Sequence, residues 1–302
     1  MRVPDLLLKS IGFVANVDGR DLSAQSIDPI ATAFIVSMPS NLAGGRFYYV
    51  ITARHVFDGP PVEKVVIVNQ KGGGVKPLSV LGPWFGHPDK TVDVVAAQVP
   101  FDLAVDVTAF DVEDFFDANN PEDIGPGDEV FFPSLFTPAP GTAKILPLVR
   151  YGNLAMLPDQ QIQCSDGYSD IYLIEARSIG GISGSPVFVR ETIVLPVEKH
   201  DKSKVMMHGG GRFKLLGLIK GHWDVDESKI NQAYVTHDPK RGVNMGIAQV
   251  VPAKKIIETL NAPGLLGLRA MEESKHISSQ KSSLDLEVAC EMKVKAVELP
   301  TN

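Results

Sequence analysis

The chain has 302 residues and a formal charge of −7, with 44% hydrophobic residues, 27 glycines and 22 prolines. That length fills one large or two small cores, and so much glycine and proline fits a turn-rich, mainly β protein better than a helical bundle. The acidic balance carries no basic run and argues against a nucleic-acid partner. Two cysteines, Cys164 and Cys290, are too few for a disulfide-stapled secreted scaffold.

Met1 to Lys9 interrupts its apolar stretch with charges and leads to no small-residue cleavage site, so it does not read as a signal peptide. No window reaches the roughly 18 uninterrupted apolar residues of a membrane span. The expected setting is a reducing cytoplasm, with no membrane contact. Ala31–Met38 and Arg46–Thr52 are β-branched and aromatic runs around the Pro39–Gly45 break, which predicts a hairpin. His55 then falls just past a strand. Further strands are expected at Lys64–Asn69, at Leu78–Leu81 after a turn at Gly72, Gly73 and Gly74, and at Val94–Val99.

The acidic segment Phe101–Gly127, with turns at Asn119-Asn120-Pro121 and Gly125-Pro126-Gly127, reads as the connection between two halves. Strands are expected beyond it at Asp128–Phe132, Ala143–Arg150, Gln161–Cys164, Ile171–Glu175, Pro186–Arg190, Lys214–Lys220 and Met245–Gln249. The polar stretch Pro196–Arg212 reads as a surface loop. Pro252–Leu260 predicts a short helix, with proline at its start and apolar residues at helical spacing. The compact domain is expected to span residues 1–261 and to be followed by a polar, flexible tail over 262–302. Within that tail Leu284–Lys295 alternates with the period of a strand.

Two segments carry chemistry. Gly181-Ile182-Ser183-Gly184-Ser185-Pro186 is a serine turn flanked by glycines, and Ile51-Thr52-Ala53-Arg54-His55 closes a strand with a histidine. A serine hydroxyl is a poor nucleophile until an imidazole takes its proton, so each segment gains meaning from the other. The flanking glycines permit a turn that aims the N–H groups of Gly181 and Ser183 outward, as an oxyanion hole needs. An ordinary Gly/Ser turn is the competing reading of Ser183 alone.

Thr52-Ala53-Arg54-His55 and Gly181-Ile182-Ser183-Gly184-Ser185-Pro186 resemble the histidine and serine segments of the trypsin-like (chymotrypsin-fold) serine peptidases, a resemblance that spans about residues 25 to 261. Between them, Asp93 opens an apolar strand as the family's aspartate does; Asp89 and Asp102 compete for the role. The resemblance implies an all-β fold of two six-stranded antiparallel β-barrels, at about residues 25–105 and 125–250, with a helix over 252–261. It implies Ser183 as nucleophile, His55 as general base and then acid, Asp93 as the carboxylate behind the imidazole, and a protein or peptide as substrate. Arg177, His222 and Trp223 are candidates for lining the specificity pocket, where cations favour an acidic side chain before the cut. Ordinary surface or packing roles for His222 and Trp223 stay open.

Ile182 stands where activated digestive proteases carry an aspartate, which removes activation by a new N-terminus. The serine is followed by Pro186-Val187-Phe188-Val189 and the histidine comes first, unlike the order in hydrolases with a nucleophile elbow. Seven histidines without paired ligand spacing predict no metal, and neither glycine triplet continues into a phosphate loop, so no cofactor is expected. The alternative function is an idle protease fold that captures a partner.

Overall fold

The computed structural model describes residues 3–17, 27–58, 62–100, 102–116, 124–141, 143–164, 167–177, 180–190, 193–195, 205–207, 213–226 and 242–278. The first half comprises a one-turn helix α1 (Asp5–Leu8) and strands β1 (Ile11–Val17), β2 (Ile27–Pro39), β3 (Arg46–Thr52), β4 (Lys64–Asn69), β5 (Val75–Pro77), β6 (Phe85–Gly86), β7 (Val95–Val99) and β8 (Phe110–Asp111). The second comprises β9 (Glu129–Ser134), β10 (Leu148–Met156), β11 (Ile162–Cys164), β12 (Gly167–Ser169), β13 (Tyr172–Ala176), β14 (Pro186–Arg190), β15 (Ile193–Leu195), β16 (Val205–Met207), β17 (Phe213–Asp226) and β18 (Gly242–Pro252). Helix α2 (Ala253–Leu260) and a further helix, α3, over 263–278 follow. Among the described residues no helix is long and apolar enough to cross a membrane.

The second half closes on itself as a six-stranded barrel in the order β10-β13-β18-β17-β14-β9. The expected six-stranded barrel of the first half is not confirmed: among the described residues it is an eight-stranded sheet, β5-β4-β1-β2-β3-β7-β6 with β8 beside β2, whose ladder does not close. Its edge strands are too short to pair, since β6 has two residues and β5 ends at Pro77, which has no N–H to donate. The backbone past β5 contributes single bonds instead, from Leu78 N–H to Val66 O and from Leu81 N–H to Gln98 O, each 2.7 Å. The strand expected at Leu78–Leu81 therefore lies earlier, at β5, directly after the glycine turn.

Alternation along β9 explains how the halves join. Val130 and Phe132 point into the barrel, whereas Phe131 joins the core of the first half. Phe188 and Leu215 do the same from β14 and β17. Phe131 stacks on Phe188 at 5.2 Å between ring centres, and Phe110 of β8 meets Phe188 edge-on at 5.1 Å. Aromatic pairs of this kind add to the area they bury, so the barrel's outer face works as the floor of the first core.

Several strands differ in extent from expectation. The segment expected at Ala143–Arg150 forms its strand later, because Pro147 lacks an N–H and the ladder runs on through Gly152. A Cβ there would lie 2.3 Å from Glu175 O, so only glycine lets β13 approach. β17 and β18 pair well beyond the expected segments and bend through register shifts. Part of the polar loop, Val205–Met207, pairs with Ile193–Leu195; its remainder lies outside the described residues.

Packing also runs past Asn261, where the domain was expected to end. Helix α3 docks on the first half: Leu265 is fully buried, and Arg269 donates to Leu260 O at 2.7 Å, Tyr49 Oη at 3.1 Å and Asn261 Oδ1 at 2.8 Å. One guanidinium thus satisfies the Leu260 carbonyl at the end of α2 and ties both helices to β3. The alternating segment Leu284–Lys295 lies outside the described residues.

Candidate active site

β3 and β7 are neighbours, with Thr52 opposite Val95. The chain leaves β3 through buried Ala53 into a 3₁₀ turn, Arg54–Phe57, that carries His55, while Asp93 sits just ahead of β7. Both side chains therefore start from adjacent strand ends. Asp93 Oδ2 lies 2.6 Å from His55 Nδ1, and Asp93 Oδ1 accepts the backbone N–H of His55 at 2.8 Å. Two bonds from one residue fix the carboxylate in position and the imidazole in its plane.

Ser183 arrives from the barrel. Its Oγ lies 3.0 Å from His55 Nε2 and 3.4 Å from Lys220 O. With Nδ1–H donating to Asp93, Nε2 is the acceptor that remains on the neutral ring, and the shorter bond is the one the serine proton takes. The structure thus brings together His55, Asp93 and Ser183, three of the residues singled out in the sequence. The competitors are occupied elsewhere: Asp89 Oδ1 accepts the N–H and hydroxyl of Thr91, and Asp102 pairs with Lys76 at 2.6 Å and accepts the Ala104 N–H.

The serine turn is clamped from both halves. Gly184 N–H donates to Ile219 O, Ile219 N–H to Ser185 O, and Ser185 N–H to Ile182 O, which ties the turn to β17. On the other side Thr32 N–H donates to Ser183 O at 3.0 Å. The Thr32 hydroxyl donates to Gly181 O at 2.9 Å and accepts the Leu135 N–H at 2.9 Å, while Thr32 O accepts the Thr52 hydroxyl. Ile182 is buried among the apolar residues of the barrel, so an apolar anchor holds the turn. Among the described residues the N–H groups of Gly181 and Ser183 have no protein acceptor.

Both glycines of the turn are obligatory. Gly181 has φ 94° and Gly184 φ 80°, in the region that side chains avoid. A Cβ on Gly184 would lie 2.2 Å from Thr32 O and 2.3 Å from Thr52 Oγ1. Gly184→Ala is therefore expected to cost about 1–2 kcal/mol from the left-handed backbone alone, with the clash against a backbone oxygen added. Denaturant unfolding checks this, and an alanine variant as stable as the parent would sink it.

Thr32 gave no chemical signal in the sequence beyond being a hydroxyl in a mainly apolar strand, although such a buried polar group demands partners. Thr32→Val leaves the Leu135 N–H and the Gly181 carbonyl unsatisfied, each at a cost of about 1–3 kcal/mol. The expected result is a lower unfolding midpoint together with weaker turnover, since the Gly181 peptide loses its support. A valine variant matching the parent in both would exclude this role. Arg54 was also missed. Its guanidinium donates to His87 O at 2.6 Å and Lys90 O at 2.9 Å, bracing the loop that delivers Asp93. His87 Nε2 in turn meets Glu258 of α2 at 2.9 Å.

The electrostatics follow from burial and pairing. Burial opposes the charged form of His55, yet the hydrogen bond and charge of Asp93, with Asp58 behind, outweigh it and hold the imidazole above its usual 6.5. Burial pushes Asp93 up, but the ring and backbone bonds of His55, its charge and that of Lys220 hold the carboxyl below the ordinary value. Of the expected pocket residues, Arg177 is exposed after β13, while His222 and Trp223 are half-buried neighbours on β17 beyond Lys220. Among the described residues no group of three or more metal-ligating side chains assembles.

Among solved structures the chain is similar to the MamO protease domain from Magnetospirillum magneticum in its apo form, with 18% sequence identity and a TM-score of 0.46 over 83% of this chain and 96% of that one. No protein-family model and no curated protein matches the chain.

Proposed function

We propose that this protein is a serine endopeptidase of the trypsin-like kind, which cleaves protein or peptide substrates through an acyl-enzyme at Ser183. The observation that carries this reading is the unbroken line from Ser183 Oγ to His55 Nε2 at 3.0 Å and from His55 Nδ1 to Asp93 Oδ2 at 2.6 Å. His55 takes the serine proton as Oγ attacks the carbonyl carbon, and Asp93 stabilises the resulting imidazolium without itself becoming protonated. The N–H groups of Gly181 and Ser183 receive the oxyanion, and their unused donor capacity is what that role requires. The imidazolium then returns its proton to the leaving amine, and water, deprotonated by the same imidazole, releases the acyl group. These steps run on side chains and backbone alone.

A fluorophosphonate probe tests the reading directly, because it reports an activated serine whatever the substrate. One adduct per chain is expected, mapping to Ser183 by peptide mass. A folded protein that takes no adduct would overturn the proposal in favour of a protease fold that only captures a partner.

A further inference from the structure

Near the start of β10 a guanidinium is buried without a counter-charge. Arg150 is 9% exposed; its Nε–H donates to Ser134 Oγ at 3.1 Å, Nη1 reaches Arg177 O at 3.5 Å, and the group lies 5.9 Å from the centre of the Phe136 ring. Nη2 is buried with no partner. Among the described residues no carboxylate pairs with Arg150, and burial pulls the pKa of its guanidinium below the ordinary arginine value. An arginine has five donors in a planar fork, and a buried charge lacking a partner carries a desolvation cost of several kcal/mol.

The groups this guanidinium touches frame the serine turn. Leu135 and Thr137, on either side of Phe136, lie against Gly181, whose Cβ would fall within 3.1 Å of both. Arg177 begins the segment that runs into Gly181 and Ser183. Arg177 is itself exposed, and its backbone carbonyl is the one that Arg150 Nη1 reaches.

We infer that Arg150, with Arg177 at the rim, receives the carboxylate of an acidic substrate side chain, the one on the residue before the cleaved bond. This rests on the endopeptidase reading and names its substrate class. A carboxylate offers the planar, bidentate acceptor that the vacant Nη2 edge lacks, and it arrives already charged, where an amide of equal size leaves the cation uncompensated. Arg150, silent in the sequence, thus joins Arg177 as a residue of the pocket.

Binding to the Ser183→Ala protein separates recognition from chemistry. By calorimetry, an amide-capped peptide with a central glutamate is expected to bind roughly 10- to 100-fold more tightly than its glutamine counterpart. Arg150→Met is expected to bring that ratio near one, and Arg150→Lys, which keeps the charge and serves if the methionine variant fails to fold, to retain part of it. Equal binding of the two peptides by the parent overturns the inference, as does a preference that survives Arg150→Met. Equal weakening of both peptides in that variant also overturns it, since Arg150 would then merely brace the turn. An Arg150-dependent preference in a protein that takes no fluorophosphonate would instead leave recognition standing and sink the hydrolase.

Discussion

Ser183→Ala is expected to lower kcat about 10⁶-fold and to abolish fluorophosphonate labelling, with the fold intact. Among the described residues the hydroxyl makes bonds only to His55 and Lys220 O, whereas the backbone bonds that clamp the turn, through Thr32, Ile219 and Ile182, do not involve it. Because the nucleophile and its base act as one unit, their effects do not add. A Ser183→Ala/His55→Ala double variant is therefore expected to be no slower than Ser183→Ala alone. Residual catalysis of about 10³- to 10⁴-fold over water should remain from the oxyanion donors and substrate binding. Steady-state assays against an ester substrate, with unfolding curves beside them, decide the matter. Labelling that persists in the alanine variant would mean the nucleophile lies elsewhere.

Asparagine at position 93 should reduce kcat about 10⁴-fold, because an amide directs its N–H at Nδ1 and favours the tautomer that leaves Nε2 protonated. The pH profile tests the same contact independently. In the proposed mechanism His55 accepts the serine proton only when neutral, so activity is expected to rise with pH through its pKa, with that limb above the ordinary 6.5 because Asp93 holds the ring protonated. Removing the carboxylate charge should move the limb downward. A limb that stays in place in Asp93→Asn, or that lies below 6.5 in the parent, would contradict the assignment.

Stability responds to the same pair with opposite sign. Asp93, depressed in the folded state, contributes above its ordinary pKa and loses that contribution as pH falls through the lowered one. His55, raised in the folded state, contributes below its ordinary pKa and loses that contribution as pH rises through the raised one. The ion pair is thus strongest between the two folded-state pKa values, and activity climbs as that stabilisation fades.

Local chemistry reaches a fair distance in this protein. The glycine-flanked serine, the histidine closing β3 and the aspartate opening β7 are each legible because a turn or strand end depends on near neighbours in the chain. The β2–β3 hairpin, the Gly72–Gly74 turn and α2 follow from the same kind of pattern. Strand extents were less legible, since proline at 77 and 147 and a close crossing at Gly152 shift the ladders in ways only the partner strand reveals.

By itself, then, the sequence singled out the serine, histidine and aspartate that the structure brings together, and the β class that carries them. Only tertiary structure decided that Thr32, far from Gly181 and Leu135 along the chain, stitches the halves together at the serine turn. It alone decided that the ladder of one half closes into a barrel while that of the other, among the described residues, does not, that α3 docks through Arg269, and that Arg150 lies buried beside that turn. The physical reason is common to all four. Burial and hydrogen-bond satisfaction are properties of groups that meet in space, and a residue's type does not record which distant backbone will come to face it.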